Sequence, residues 1–429
     1  MKKSINPKRT DWPEILKRPT RTVEDIEEVV QEVFREVRIK GDEALFKYTR
    51  LFDNVDLNTF VVSDEEMKAA ALLVPDELKA AIGRAKDNIQ KFHAAQRTEP
   101  VRVSTSKGIE CWQEKRPIES IGLYIPGGSA PLFSTVLMLA VPASIAGCEE
   151  IVLCSPPDRS GTINPVILYT AGLCGVSKIF KVGGIQAIGA LTFGTESIPQ
   201  VYKIFGPGNQ YVTVAKQLAT RYSIAIDMPA GPSELLVFAD ETAIPSYVAA
   251  DLLSQAEHGA DSQVILVTTS DDFAVKVYEE IEQQIKELPR RQIAQKAIEN
   301  SRIIVAESEE NAMQLINFYG PEHLIIACKN EDFLLEKIRN AGSVFVGNYT
   351  PESAGDYASG TNHTLPTNGY SKQYSGVNLD SYMKSMTFQR ISKDGILYIG
   401  NTIELMAAAE GLDAHKNAVS LRLNDLRNT

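Results

Sequence analysis

Short apolar runs alternate with helical windows along the middle of this chain, and few folds accommodate that rhythm. Candidate strands fall at 120–125, 151–155, 179–182, 201–204, 233–238, 264–268, 303–306, 324–327 and 343–346. Helical windows lie between most of them, notably at 131–147, 162–174, 185–194, 208–221, 244–258, 270–288 and 309–318. Strand and helix alternating at this interval predict βαβ units and parallel sheets. Nine strands sit more comfortably in two sheets than in one, and 429 residues exceed a single ordinary core. Ahead of this region, residues 22–50 place Ile26, Val29, Val30, Val33, Phe34 and Val37 at helical spacing, with Thr22 as N-cap and Gly41 as stop. A second amphipathic helix is expected at about 64–96. From about 376 the alternation gives way to polar and basic sequence and then a helical segment, which reads as a separate small element.

Charge narrows the partners. A formal net charge of −11 leaves no surplus of Lys and Arg to neutralise phosphates, which argues against nucleic acid. The five cysteines form no C-x-x-C pair, so neither a disulfide framework nor a thiolate zinc knuckle is indicated, and Cys148, Cys154 and Cys174 read as buried inert thiols. The first residues lack the apolar core of a signal peptide, and no stretch approaches a membrane span. A cytoplasmic protein working on small molecules is the expectation.

Three glycine-rich turns follow candidate strands and precede helices: Ile125-Pro-Gly-Gly-Ser-Ala-Pro131, Val182-Gly-Gly-Ile-Gln-Ala-Ile-Gly189 and Phe205-Gly-Pro-Gly-Asn-Gln-Tyr211. Such turns expose N–H groups where phosphates bind. None is a G-x-G-x-x-G, so the dinucleotide fingerprint fails, and each alone is equally ordinary punctuation. Three in succession favour a nucleotide site.

Of the five histidines, His93 lies on a charged amphipathic helix and is expected at the surface. The other four sit in compact polar clusters. Gln255 shares the stripe of Val248 and Leu252 and so points inward, with His258 three residues on able to share its target. Glu322 and His323 stand at a strand mouth, a pair suited to acid–base work. Asp356 and His363 fall in a long loop after the strand at 343–346, and Glu410 precedes a helix break at Gly411 with His415 beyond it. Each cluster has an ordinary reading as well: a chance pair, a solvated turn, a surface loop, a frayed helix end. Together Gln255, His258, Asp356 and His415 make a zinc set of nitrogen and oxygen donors, though no spacing rule selects them.

At this point the sequence resembles the histidinol dehydrogenase family. The resemblance is carried by Ile226-Asp-Met-Pro-Ala-Gly-Pro-Ser-Glu-Leu-Leu-Val-Phe-Ala-Asp240, Tyr124-Ile-Pro-Gly-Gly128, Gly206-Pro-Gly-Asn209, Gln255-Ala-Glu-His-Gly259, Gly320-Pro-Glu-His323, Tyr349-Thr-Pro-Glu352, Gly360-Thr-Asn-His-Thr-Leu-Pro-Thr367 and Glu410-Gly-Leu-Asp-Ala-His415, from about residue 20 to the end. It implies an α/β fold of two Rossmann-like parallel-sheet domains with small N- and C-terminal appendages. The layout would be 1–21 as an N-terminal segment, 22–123 with 234–375 as the domain carrying the chemistry, 124–233 as the NAD-binding domain, and 376–429 as a dimerisation segment. The implied activity is oxidation of L-histidinol through L-histidinal to L-histidine with two NAD. By the same resemblance Gln255, His258, Asp356 and His415 would hold Zn2+, and His323 would be the base. Glu322 would activate water, while Ser233, His363 and Glu410 would join the metal ligands and His323 in holding substrate. Tyr124, Gln186 and Asn209 would contact NAD. The carboxyl-terminal segment of a homodimer would reach into the neighbouring site. The alternatives are a paralogue oxidising another small alcohol, such as a sulfonated diol, and a silent nucleotide-binding protein. A phosphate-transfer enzyme is weaker still, since the chain lacks the Lys-Ser/Thr of a P-loop.

Overall fold

The computed structural model describes residues 1–19, 24–127 and 131–428. The expected N-cap Thr22 and part of the first glycine-rich turn, Gly128 to Ala130, lie outside the described residues. The strands in chain order are β1 Lys2–Ile5, β2 Val101–Ser106, β3 Ile109–Pro117, β4 Ser120–Tyr124, β5 Glu150–Ser155, β6 Lys178–Lys181, β7 Lys203–Phe205, β8 Ala225–Ile226, β9 Glu234–Ala239, β10 Gln263–Thr268, β11 Arg302–Val305, β12 His323–Ala327, β13 Ser343–Val346 and β14 Met383–Ile391. The chain forms two compact units, residues 1–96 with 118–382 and residues 97–117 with 383–429.

The first unit holds the two parallel sheets that the alternation implied. One has five strands in the order β6-β5-β4-β7-β8, the other six in the order β1-β11-β10-β9-β12-β13. Every residue of β4, β9, β10 and β12 is buried, because helices cover both faces of a parallel sheet and leave no solvated side. In the five-stranded sheet the order reverses between β4 and β7, and in the six-stranded sheet between β9 and β12. Ligands collect outside the carboxyl ends of the strands at such switch points.

The expected layout needs revision in three places. Residues 24–94 do not join the six-stranded sheet. Val30, Val33, Phe34 and Val37 of helix Glu24–Lys40 share a core with Ile188 and Ala215 of the five-stranded sheet's helices, and Ile82 and Ile89 join the core of Leu137 and Leu139. Residues 97–117 belong to the second unit, not to the region 22–123. Nor is the N-terminal segment an appendage: β1 pairs in parallel with β11, and Trp12 is buried with Phe238 and Tyr319.

His93 also departs from expectation. It is fully buried, because helix Asp76–Ala94 turns Ile82, Ala85, Ile89 and His93 inward on one stripe. Its Nδ1 lies 2.8 Å from the Ile89 carbonyl oxygen, and its Nε2 lies 3.3 Å from the Asn362 amide nitrogen. Burial pushes the imidazole below its usual value, so the neutral form occupies this place.

The second unit pairs β14 with β3 and β3 with β2, all antiparallel, with Phe388 stacked on Trp112 at 5.2 Å between ring centroids. Its helices Lys393–Ala409 and Asp413–Asn428 pack where Gly400 leaves room for buried Leu423. All five cysteines are free, and burial lifts the thiols of Cys148 and Cys174 to about 11 and about 12. Among the described residues no helix is long and apolar enough to cross a membrane.

Candidate active site

The chemistry-bearing residues gather at the amino ends of β9 and β12. Glu234 opens β9, His323 opens β12, and His323 pairs with Leu235 in register. Helix Pro245–Ala256 follows β9 and runs back along the sheet, which returns its last turn, with buried Gln255, to that same edge. The short helix Glu352–Tyr357 after β13 adds Glu352 and Asp356.

Around His323 the donors close in. Its Nδ1 lies 3.2 Å from the Glu234 carbonyl oxygen and 3.6 Å from carboxylate oxygens of both Glu322 and Glu352, while its Nε2 lies 3.7 Å from Asp356. The Gln255 amide stands 3.5 Å from Nδ1. With its nitrogen turned to Glu352 it donates to Oε1 at 2.5 Å and accepts the Glu234 N–H at 3.2 Å, an orientation that satisfies both ends. Glu322 accepts the same Glu234 N–H at 2.8 Å, which fixes its carboxylate. Below it, Arg18 clamps the Glu234 carboxylate at 2.5 and 2.8 Å. His363 is held by its Nδ1, 2.9 Å from the Asp356 carbonyl oxygen, and its Nε2, 3.1 Å from the Thr135 hydroxyl.

Charge follows geometry. Burial alone would lower His323, but Glu352 and Glu322, with Asp356, outweigh it and hold the imidazole well above the usual 6.5. Burial raises the Glu352 carboxyl above its ordinary value against the pull of His323. For Asp356 burial works the same way, yet His323, His363 and His258 win and hold it low. One imidazole among three acidic groups is a cation-seeking arrangement. Ligand atoms of His323, Glu352 and Asp356 all lie within 4.8 Å of one another, and the buried His323 Nε2 has no hydrogen-bond partner. The acidic donors with Gln255 fit a divalent metal, and the orphaned Nε2 leaves His323 a nitrogen at the same point that can take a proton.

The predicted metal set is brought together in part. Gln255 and Asp356 both meet at His323, and His258 lies close enough to Asp356 to act on its charge. His415 lies in the second unit with Glu410. Both are exposed, and neither is joined within that unit by another predicted site residue.

Two clefts share Asn209 and Tyr211, and the first reaches His258. Ser233, His258, Asn209 and Tyr211 line one of about 700 Å³, and Tyr124, Gln186, Asn209 and Tyr211 line another of about 530 Å³. All three predicted nucleotide contacts therefore share the second cleft, which lies at the carboxyl ends of β4 and β7, where the five-stranded order reverses. Gly206 after β7 adopts φ 130°, a conformation suited to glycine alone. Its N–H donates to Asp227 at 2.8 Å and its carbonyl accepts from Lys216 at 2.7 Å, and Lys216 and Asp227 form a buried ion pair. Asp227 also accepts the Met228 N–H at 2.7 Å, at the start of the segment leading to Ser233. One ion pair thus ties the Gly206 turn to the segment that leads to Ser233.

Sequence reasoning missed Arg18, Thr135, Lys216, Asp227, Glu234 and Glu352. Asp227, Glu234 and Glu352 stood inside motifs already singled out, which was a signal left unused; the others carried none.

Fold and site together define an α/β enzyme of dehydrogenase build, with a switch-point cleft and a buried carboxylate–imidazole cluster. The family model described as histidinol dehydrogenase matches residues 16–423. The histidinol dehydrogenase of Bacteroides thetaiotaomicron is 58% identical over 421 residues, 98% of each chain. That of Escherichia coli (strain K12) is 54% identical over 417 residues, 96% of this chain and 95% of the relative. The crystal structure of histidinol dehydrogenase from Elizabethkingia anophelis matches with TM-score 0.97 and 57% identity, covering 100% of this chain and 99% of that one. The chain belongs to the histidinol dehydrogenase family.

Proposed function

We propose that this chain oxidises L-histidinol through L-histidinal to L-histidine, the closing steps of histidine biosynthesis, in a single site. The observation that carries the reading is the convergence of Gln255, Glu322, His323, Glu352 and Asp356 on one buried point, in a protein that also gathers Tyr124, Gln186 and Asn209 in one cleft. When bound, NAD supplies a hydride acceptor for each oxidation, and zinc supplies a cation that grips the imidazole and amine of the substrate.

Gln255, His258 and Asp356 would hold that zinc, with His415 of a second copy completing the set. A pairing of two copies is supported by Leu397, Tyr398, Leu405, Met406 and Leu421, all exposed on the helices of that unit. Ser233, His363 and Glu410 would position the substrate. Neutral His323 takes the proton of the carbinol oxygen. The carboxylates of Glu352 and Glu322 lift its affinity for that proton, and a cation held at Asp356 would oppose that lift. Glu322, fixed by the Glu234 N–H, takes a proton from the water that adds to the aldehyde. The acidic surroundings favour a cationic amino alcohol over a sulfonated diol, whose anion Glu322, Glu352 and Asp356 would repel.

The experiment is stoichiometric. Two NADH per L-histidinol, lost on metal stripping and restored by zinc, with no turnover of a sulfonated propanediol, is the expected result. In Glu322→Gln the first oxidation should outlast the second, so that aldehyde accumulates. Undiminished turnover by stripped protein would refute the metal assignment, and equal turnover of both alcohols would refute the substrate.

A further inference from the structure

The nucleotide cleft carries a carboxylate that the proposed chemistry does not use. Asp53 lines it beside Phe52 and Gln186. Gln186 is fully buried; its Nε2 donates to Asp53 at 3.4 Å, while its Oε1 has no hydrogen-bond partner. No ion pair among the described residues includes Asp53. Nearby, the Tyr124 hydroxyl already accepts the Gly184 N–H at 3.1 Å. The flank is apolar: Phe52 stays 46% exposed, with its ring stacked on Tyr48 at 5.4 Å between centroids. The partnerless Gln186 Oε1 and an Asp53 carboxylate with only that long contact, next to an open aromatic ring, complement a ligand that brings adjacent hydroxyl groups and a flat base.

The clefts fix the direction. Asn209 and Tyr211 line both cavities, whereas Phe52 and Asp53 line the nucleotide cleft alone and Ser233 and His258 line only the other. We infer that Asp53, with Gln186, reads the vicinal hydroxyls of the adenosine ribose and so admits NAD while excluding its 2′-phosphorylated counterpart. This rests on the dinucleotide reading proposed above. Burial lifts the Asp53 carboxyl to about 6, so it is mostly ionised at neutral pH and accepts from both hydroxyls. A phosphate at the 2′ position would meet that charge in a cleft where Asp53 has no cationic partner, a repulsive element that discriminates as much as the attractive one does.

The test is a titration of the full chain with ADP-ribose and with 2′-phospho-ADP-ribose, read as heat, in wild type and in Asp53→Asn. Wild type should bind ADP-ribose at least about tenfold more tightly, and Asp53→Asn should narrow that ratio by about tenfold while its melting temperature holds. An unchanged ratio in the variant overturns the role of Asp53 and leaves the dinucleotide reading standing. Wild type that binds neither NAD nor ADP-ribose overturns the dinucleotide reading itself. Should Asp53→Asn fail to fold, wild type alone decides: NAD lacking the adenosine 2′-hydroxyl must bind about tenfold or more weakly than NAD, and equal binding overturns the inference.

Discussion

Replacing Lys216 by methionine removes one partner of the buried pair behind the Gly206 turn. The Lys216 and Asp227 side chains are only 4% and 1% exposed, so the surviving carboxylate cannot turn to water. Breaking a buried pair from one side costs about 3–5 kcal/mol. Asp227 keeps its two N–H donors, from Gly206 and Met228, which places the expected loss near the lower end, about 3 kcal/mol. Urea unfolding, read as a lower midpoint at unchanged slope, measures it. Because Lys216 also holds the Gly206 carbonyl, the turn bearing Asn209 loosens, so KM for NAD should rise more than kcat falls. Adding Asp227→Asn to Lys216→Met neutralises the stranded charge and should cost less than the two single losses summed. A Lys216→Met protein within about 1 kcal/mol of wild type, with an unaltered KM for NAD, would refute the reasoning.

Gly206→Ala should destabilise by more than about 2 kcal/mol, since it combines φ 130° with a Cβ driven into the Tyr124 backbone carbonyl; an unchanged urea midpoint would count against it. Burial holds His93 below the usual 6.5 despite its bond to Ile89, so the unfolded chain takes up the proton first. Stability is therefore full above 6.5 and falls as pH drops toward the folded-state value, and His93→Gln should flatten that fall in thermal scans. Glu352→Gln removes a carboxylate that meets both Gln255 and His323, and should weaken metal retention about 10–100-fold, read as zinc content after dialysis against a chelator.

The central parallel strands were legible because burial on both faces writes them as unbroken apolar runs, Leu235 to Ala239 being the clearest. The three-stranded antiparallel sheet left no such mark: all but the last residue of β2 is exposed, and β3 carries Glu110, Glu114, Lys115 and Arg116. β1 is four residues with two lysines and is recognisable only by its pairing with β11. His93 was misread because Gln90 and Lys91 dominate its surroundings, although its spacing from Ile89, Ala85 and Ile82 held the answer. Gln255, Glu322, His323 and Asp356 could be nominated one by one from their apolar settings and strand mouths. Their meeting could not, since it depends on a helix folding back to the edge where β9 and β12 begin.

The pairing of Lys2 with Arg302 bears on how the molecule is made. The five-stranded sheet comes from one continuous stretch, Ser120 to Ile226, and its strands can meet while the ribosome is still at work. Strand β1 must instead wait through nearly three hundred residues of synthesis, its backbone groups open to any exposed sheet edge. Its pair of lysines suits that interval, because adjacent positive charges keep a solitary strand in water until its partner arrives.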